Sequence, residues 1–357
     1  MSPSFITQQR LAAQNLTVQC FSSPTELVGW MGAMQAQDYE MSKWAVATRL
    51  PNMSENLVEN ALNQGDILRT HVLRPTWHLV ASTDIRWMLQ LTAPHLEKIL
   101  GGYLKSMGLD FDICRKSNVI IERMLHQQPN LTRDVLMSAL TQHNISTNEN
   151  RSAHLMFYAE WTGLVCSGVR KGKQITYDLL DNRAPLMPLL HRDEALEKLA
   201  RRYFQSHSPA TLKDFAWWSG LPMGDVRKAV ECIKADLEVF EIDKTAYYNL
   251  PSNVSLSNGN ELFILSAFDE YLVSYVNRNA ALPPQYAAQT TTFNGIFKPI
   301  IVHQGKVIGL WKRTVKPKYI EVELLPFEPL TETLETQIKA CFDAYKKYMG
   351  VDDLRFV

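Results

Sequence analysis

The sequence lacks the patterns that would give it a membrane span or a structural metal site. No stretch approaches the roughly 18 consecutive apolar residues that a transmembrane helix needs, and the N-terminal segment has no basic start followed by an apolar core. The five cysteines stand singly, without a CxxC pair or a histidine spacing typical of zinc. We therefore expect a cytosolic protein with reduced cysteines and with no metal ion, cofactor or membrane partner.

Several catalytic signatures are also missing from the sequence. There is no HExxH segment, no phosphate-binding loop, no GxSxG elbow and no cysteine-histidine signature. These absences remove the evidence for a zinc protease, a P-loop NTPase, a serine hydrolase or a cysteine protease. The 46% hydrophobic and 21% charged residues are instead typical of an ordinary globular protein.

Net charge is absent as well, since 37 basic residues balance 37 acidic ones. This balance argues against a protein coated in positive charge, which is the usual sign of non-specific nucleic-acid binding. The local distribution is less even, because segments 67–83 and 298–318 contain basic residues and no carboxylate. Arg170, Lys171 and Lys173 form a third basic cluster. A neutral total is therefore compatible with a basic groove.

Local signals predict a helix–helix–hairpin order in the first 82 residues. Ser23, Pro24 and Glu26 have the spacing of a capping box, which predicts a helix that runs to about Gln35. A second helix is predicted over 54–63, and strands over 67–73 and 76–81 form a hairpin around Arg74 and Pro75. Helices followed by a β-hairpin, which is called the wing, are typical of a winged helix-turn-helix.

The same order of elements recurs twice more, which favours tandem winged helices. Thr132 and Thr211 are each placed to cap a helix in the second and third units. Residues 262–324 are different, with predicted strands over 262–267, 271–275, 300–303, 306–311 and 319–324, before a final helix over 331–348. Gln304-Gly305 is a hairpin turn signal between two of these strands.

We therefore predict an α+β protein with three tandem winged helix-turn-helix units and a C-terminal strand-rich, barrel-like region. The predicted boundaries are 1–82 for the first winged helix, 83–185 for the second, 186–255 for the third, and 256–357 for the β-rich region with its final helix.

Four segments of the chain resemble a known enzyme family. They are Gln35-Ala36-Gln37-Asp38, Leu73-Arg74-Pro75-Thr76-Trp77-His78, Phe268-Asp269-Glu270-Tyr271-Leu272 and Gly309-Leu310-Trp311-Lys312-Arg313. In these segments, and over nearly the whole chain, the sequence resembles the AlkZ-like DNA glycosylases. The resemblance implies tandem winged helices around a concave DNA-binding surface and a Gln-apolar-Gln catalytic motif at Gln35 and Gln37. Glutamine at both positions is similar to the branch associated with bulky N7-alkylguanine lesions and interstrand crosslinks.

The residues themselves support a site at Gln35 and Gln37 under one geometric condition. Residues two apart point to nearly opposite sides of a helix but share a face of an extended segment. The preceding helix must therefore end here for both carboxamides to reach one water or one sugar. The alternative is a polar helix end whose amides satisfy loose backbone groups.

Glutamine suits a reaction whose leaving group is already activated. A purine alkylated at N7 or N3 carries positive charge and leaves without protonation, so the protein has only to place a water and stabilise a cationic sugar. A carboxamide oxygen can orient that water but is not a base near neutral pH, which predicts weak activity on neutral bases. Asp38 is the rival candidate for accepting the proton, and its alternative is a solvated helix-end charge. A bulky lesion also predicts recognition without a deep base pocket.

Basic residues elsewhere are candidate contacts for double-stranded DNA with alkylated bases. Contacts to phosphates position a duplex without reading its sequence. The candidate DNA-binding residues are Arg69, His71, Arg74, His78, Arg170, Lys171, Arg278, His303, Gln304, Lys306, Lys312 and Arg313. By the family resemblance, the Gln304-Gly305 tip would probe the minor groove. For the first wing, the alternative is a hairpin whose Arg and His pair with local carboxylates, and for the tip it is a solvated turn.

Asp269 is a further candidate, as a group that orients Arg278 or the site water. Its alternative is a buried Asp–Tyr or Asp–Arg pair that holds the C-terminal region together. For the whole chain, we expect a monomeric, nucleoid-associated, monofunctional DNA glycosylase of alkylated purines. The alternatives are a non-catalytic winged-helix transcriptional regulator and a scaffold that uses its wings on a protein partner.

Overall fold

The first group of helices ends in a small antiparallel sheet. The computed structural model describes residues 3–251 and 261–357. The first group contains α1 (Pro3–Ala13), α2 (Pro24–Met31), β1 (Met34–Gln35), α3 (Tyr39–Ala47), α4 (Glu55–Gln64), β2 (Ile67–His71) and β3 (Trp77–Ala81). The sheet order is β1-β3-β2. The Ser23–Glu26 capping box is confirmed, but α2 ends at Met31 rather than near Gln35, and α3 was not predicted.

The second and third groups repeat this order of helices followed by a hairpin. The second contains α5 (Ile85–Ser106), α6 (Phe111–Gln127), β4 (Leu131–Thr132), α7 (Arg133–Gln142), α8 (Arg151–Trp161), β5 (Val165–Ser167), β6 (Thr176–Leu179) and α9 (Leu180–Arg183). Its sheet order, β4-β6-β5, again pairs a short first strand with the second hairpin strand. The third contains α10 (Arg192–His207), α11 (Leu212–Ser219), α12 (Met223–Cys232), β7 (Glu238–Ile242) and β8 (Thr245–Asn249). This repetition favours the winged-helix interpretation.

A five-stranded sheet dominates the C-terminal region. Its elements are β9 (Leu262–Leu265), α13 (Glu270–Val273), α14 (Ala287–Thr290), β10 (Ile300–His303), β11 (Lys306–Val315), β12 (Tyr319–Pro326), α15 (Glu332–Met349) and β13 (Asp353–Phe356). The strand order is β13-β12-β11-β10-β9, with β13 parallel to β12. The α+β class is confirmed. The strand predicted over 271–275 is wrong, because α13 begins at Glu270, and the predicted boundary between residues 255 and 256 lies outside the described residues.

Buried apolar residues from different groups pack into shared cores. Leu68 of β2 and Val80 of β3 belong to the same core as Tyr203 of α10 and Trp218 of α11. Trp311 of β11 joins the core that contains α2 and α3. The helical groups and the large sheet are therefore packed against one another, which fixes the elements around β1. No helix among the described residues is long and apolar enough to cross a bilayer.

Candidate active site

Gln35 lies in a short strand, and Gln37 lies in the bend that follows it. Helix α2 stops before Gly32, whose φ of 76° ends the helical path. Gln35 then pairs with His78 of β3, and the N–H of Ala36 donates to a carbonyl of β3 across 2.7 Å. The preceding helix therefore ends before both glutamines, as a shared site requires, while Gln37 itself lies past the strand in the bend before α3.

Gln35 is buried and has two polar contacts with charged residues. Its side chain is 7% exposed. Its backbone N–H donates to Oε1 of Glu270 at 2.5 Å, and its side-chain Oε1 accepts a hydrogen bond from Nη2 of Arg74 at 3.0 Å. The Arg74 contact fixes which way the carboxamide faces. A carbonyl oxygen has two lone pairs, so Gln35 keeps one acceptor position for a water.

Gln37 is exposed and lies at the entrance to α3. Its Oε1 accepts a hydrogen bond from the backbone N–H of Trp77 at 3.4 Å, which ties it to the same hairpin as Gln35. The next residue, Asp38, is the N-cap of α3, and its Oδ1 accepts from the N–H of Met41 at 3.0 Å. This capping bond favours the interpretation of Asp38 as a helix-end charge. The helix end is the N-terminus of α3, not the end of the preceding helix.

Three of the basic residues predicted on the first wing are buried inside it. Arg69 is 6% exposed and His71 7%. Nε of Arg69 donates to the carbonyl of Ala36 at 2.9 Å, and Nδ1 of His71 is hydrogen-bonded to the Glu160 carboxylate. His78 is fully buried. The prediction that Arg69, His71 and His78 contact phosphates is corrected accordingly, since burial and partners within the chain occupy them.

His78 lies directly beside Gln35 in the sheet and is held in its neutral form. Burial lowers the pKa of His78 to about 3, and the positive charge of Arg74 acts in the same direction. Its Nδ1 is 3.0 Å from the carbonyl oxygen of Thr76, which a neutral ring satisfies by donating from Nδ1. The strand behind Gln35 therefore adds no positive charge to the site near neutral pH.

A partly exposed tryptophan lies beside Arg74. Trp217 of α11 is 45% exposed, whereas its neighbour Trp218 is fully buried. The guanidinium carbons of Arg74 and Arg278 are 5.7 and 5.9 Å from the Trp217 ring centroid. Our sequence interpretation missed Trp217. The signal was available, because two consecutive tryptophans on a helix cannot both face one core.

Asp269 belongs to a buried ion pair. Its two carboxylate oxygens accept hydrogen bonds from Arg49 at 2.7 and 3.0 Å, and both side chains are almost fully buried. Arg278, the predicted partner, donates from Nε to the carbonyl of Leu272 at 2.8 Å. The alternative of a structural Asp–Arg pair is confirmed, with Arg49 as the partner, and the prediction that Asp269 orients Arg278 is wrong.

Glu270 is the site residue that our sequence interpretation missed. It is 1% exposed, accepts the Gln35 N–H through Oε1, and accepts a hydrogen bond from Oγ of Ser274 through Oε2. Nε2 of His207 is 3.5 Å from Oε2. Burial alone would raise the pKa of Glu270, but the contacts with His207, Ser274 and the Gln35 N–H lower it to about 2. Glu270 is thus a buried carboxylate directly behind Gln35.

The basic cluster of Arg170, Lys171 and Lys173 is only partly available for DNA. Arg170 pairs with Glu40 at 2.7 Å and with Glu59 at 3.3 Å. Glu59 also contacts Lys43, which is fully buried. Arg170 therefore joins an ion-pair network between the first and second groups, which corrects its prediction as a free DNA contact. Lys171 is exposed and stays a candidate.

The Gln304-Gly305 hairpin exists but is packed against the N-terminal helix. Both residues have positive φ, 51° and 74°, as the turn signal predicted. A Cβ on Gly305 would lie 2.5 Å from Oγ1 of Thr7, and the Gly305 carbonyl accepts from the Tyr271 hydroxyl at 2.7 Å. Lys306 donates to a backbone carbonyl at 2.5 Å. This packing fixes Gly305 and Lys306, whereas Gln304 is exposed, and the prediction that His303, Gln304 and Lys306 enter a DNA groove stays a prediction.

The basic segment around β11 lies beside an acidic strand. Lys312 pairs with Glu323 of β12 at 3.0 Å, and Lys316 with Glu321 at 3.7 Å. Arg313 donates to the Tyr345 hydroxyl. A segment without acids in the sequence therefore does not form an acid-free surface, because strand pairing brings carboxylates next to it. Lys312 remains exposed in this pair, and the prediction that Lys312 and Arg313 neutralise phosphates stays a prediction.

Potential metal ligands do not gather anywhere in the described part of the chain. Within residues 3–251 and 261–357, no group of three or more His, Cys, Asp or Glu side chains is arranged to hold a metal ion. The candidate site brings together two carboxamides, one guanidinium and one buried carboxylate.

Comparisons with known proteins identify relatives of this chain. The family model described as DNA glycosylase AlkZ-like matches residues 28–348. An interstrand DNA cross-link repair glycosylase from Streptomyces sahachiroi is 23% identical over 344 residues, which cover 91% of this chain and 90% of the relative. The solved structure of Streptomyces sahachiroi DNA glycosylase AlkZ matches with a TM-score of 0.82 at 19% identity, over 100% of this chain and 99% of that one. The latter likeness shows a shared fold.

Proposed function

Because the chain belongs to the AlkZ-like DNA glycosylase family, we propose that it hydrolyses the N-glycosidic bond of alkylated purines in double-stranded DNA. The observation that carries the proposal is that α2 ends before the motif, so that Gln35 in β1 and Gln37 in the following bend both contact the β3 hairpin strand. Arg74 and Glu270 hold Gln35 from two sides. We assign Gln35 and Gln37 as the catalytic residues.

The proposed reaction needs no acid, because the leaving group is a cation. When the bond between C1′ and the alkylated purine breaks, the electron pair goes to the base, which departs neutral, and the sugar becomes an oxocarbenium-like cation. A water then adds to C1′ and releases a proton to solvent. Gln35 and Gln37 accept hydrogen bonds from that water and place it. Neither carboxamide is a general base near neutral pH.

The proposed duplex contacts are the cationic and aromatic groups that stay partly exposed. Arg278 and Trp217 lie next to Arg74, and Lys171 is exposed at the second wing. Cations neutralise phosphates, while the tryptophan supplies a flat apolar surface near the lesion. We expect a monomer to bind the duplex in this way, without enclosing the damaged base in a deep pocket.

Bulky adducts and interstrand crosslinks are a finer part of the proposal. The Streptomyces sahachiroi relative is described as an interstrand DNA cross-link repair glycosylase. A site with exposed Gln37 and half-exposed Trp217 accommodates a large adduct more easily than an enclosed pocket does. A crosslinked duplex is therefore the second substrate to try after a simple methylated base.

A measurement of base release distinguishes a glycosylase from a non-catalytic DNA-binding regulator. Wild type, Gln35→Ala and Gln37→Ala are incubated with a duplex that contains labelled N7-methylguanine, in the presence of EDTA. Gln127→Ala is the matched control, because Gln127 is exposed at the end of α6. We expect chelator-insensitive release by wild type and by the control, and a loss of about 10²- to 10³-fold in each site variant. Tight duplex binding without release from methylated or crosslinked DNA would favour a regulator.

A further inference from the structure

Gln35 lies between two charged groups of opposite sign. Glu270 contacts its backbone N–H and Arg74 contacts its side-chain oxygen. The two glutamines of the motif carry no charge themselves. The proposed reaction creates a cationic sugar next to them, so the charges behind Gln35 decide how easily that cation forms.

Glu270 is built to stay ionised in a buried place. Its two oxygens face the Gln35 N–H, the Ser274 hydroxyl and His207. Burial lowers the pKa of His207, and its contact with Glu270 acts in the opposite direction. The Gln35 N–H and the Ser274 hydroxyl both donate to the Glu270 carboxylate, so its stabilisation does not depend on His207 alone.

Glu270 is also shielded from any direct part in the chemistry. With 1% of its surface exposed and Oε1 occupied by the Gln35 N–H, it cannot reach a water or a sugar carbon. A nucleophile or general base must lie within hydrogen-bond reach of its target. This excludes the carboxylate roles that are usual in glycoside hydrolysis and leaves electrostatics.

We propose that Glu270 is a positioning residue that supplies the negative charge missing from the Gln-x-Gln motif, both stabilising the cationic sugar and offsetting Arg74. This inference rests on the proposed function. A fixed charge in a buried site is effective because little solvent screens it and it needs no reorganisation during the reaction. Without it, Arg74 would be an uncompensated cation beside a second cation that is forming.

Two substitutions separate charge from shape. Glu270→Gln keeps the length and an acceptor for the Gln35 N–H but removes the charge, whereas Glu270→Asp keeps the charge and shortens the side chain. We expect single-turnover release of N7-methylguanine to fall about 10²-fold in Glu270→Gln and by less in Glu270→Asp, with unchanged duplex affinity. Glu270→Gln at the wild-type rate, or Glu270→Asp as the slower of the two, would overturn the inference. A wild type without base release would overturn the proposed function and this inference with it.

A binding measurement covers the case in which Glu270→Gln does not fold. Wild type is titrated with two duplexes, one carrying a cationic pyrrolidine abasic-site analogue and the other a neutral tetrahydrofuran analogue. We expect tighter binding of the pyrrolidine duplex, because its ring nitrogen carries the charge of the transition state. The preference should disappear in Glu270→Gln where that variant folds. Equal affinity of wild type for the two duplexes would contradict the inference.

Discussion

Nη2 of Arg74 donates a hydrogen bond to Oε1 of Gln35 across 3.0 Å. Arg74 lies in the hairpin turn, and Gln35 lies in the short strand that pairs with β3. The contact makes the hairpin part of the proposed active site, because it fixes the orientation of the Gln35 carboxamide. Arg74, which the sequence predicts as a DNA contact, thus has a hydrogen-bond partner inside the proposed site.

Replacing Arg74 by methionine should therefore slow the reaction more than it weakens binding. The variant keeps the length of the side chain but frees the Gln35 carboxamide to rotate, and a misplaced catalytic group costs about 10²-fold in rate. Removing the Arg74 charge would by itself favour the cationic sugar, but we expect this gain to be smaller than the loss, because Glu270 already offsets the charge. Single-turnover base release and duplex titrations at several salt concentrations check it. A salt slope reduced by about one, with an unchanged rate, would identify Arg74 as a phosphate contact instead.

The neutral His78 predicts a stability that depends on pH. Its folded pKa of about 3 lies below the ordinary value of 6.5, so the unfolded chain binds the proton first. The stabilisation is complete above pH 6.5 and is lost as pH falls toward 3. For this group alone, the free energy of unfolding should be about 2 kcal/mol lower at pH 5 than at pH 8.

Urea unfolding of wild type and of His78→Asn at both pH values isolates this contribution, because other buried groups titrate in both proteins. Asparagine can still donate to the Thr76 carbonyl. We expect the pH dependence to shrink in the variant. An identical pH dependence in the two proteins would show that His78 binds its proton equally well in the folded and unfolded states, which contradicts a lowered pKa.

The buried pair of Asp269 and Arg49 predicts a large effect on stability. Asp269→Asn leaves the Arg49 guanidinium buried without a counter-charge, which should lower the free energy of unfolding by about 3 kcal/mol. Asp112→Asn is the matched control, because its partner Arg115 and Asp112 itself are both mostly exposed, and its unfolding curve should match that of wild type. An Asp269→Asn protein as stable as wild type would show that the pair is dispensable.

Local chemistry explains which parts of the fold could be predicted from the sequence. The Ser23 and Thr211 capping boxes and the Gln304-Gly305 turn depend on residues a few positions apart, and all three are present. Segment 271–275 was predicted as a strand, but the Asp269 carboxylate caps the N–H of Tyr271 and starts a helix. A side chain two positions upstream thus overrode the hydrophobic pattern.

The site was predictable only where the motif itself carried it. Gln35 and Gln37 follow from the family resemblance and from the end of α2. The charged partners could not be predicted, because they are distant in the sequence. Glu270 lies 235 positions after Gln35, and Glu160, the partner of the wing residue His71, lies 89 positions after it. His71 of the wing resembles a DNA contact in the sequence alone, because the sequence does not show that the fold brings Glu160 to it. Only three-dimensional packing separates a phosphate contact from a buried ion pair.

The most direct test of hydrolysis by glutamine-positioned water compares one cationic and one neutral lesion in the same duplex. Wild type is mixed in excess with duplexes that contain either N7-methylguanine or hypoxanthine, and base release is followed over time. Glutamine-positioned water, without an acid to protonate the base, predicts rapid release of N7-methylguanine and little release of hypoxanthine. Comparable release of both bases would contradict it, since a neutral purine needs a proton donor that Gln35 and Gln37 do not provide.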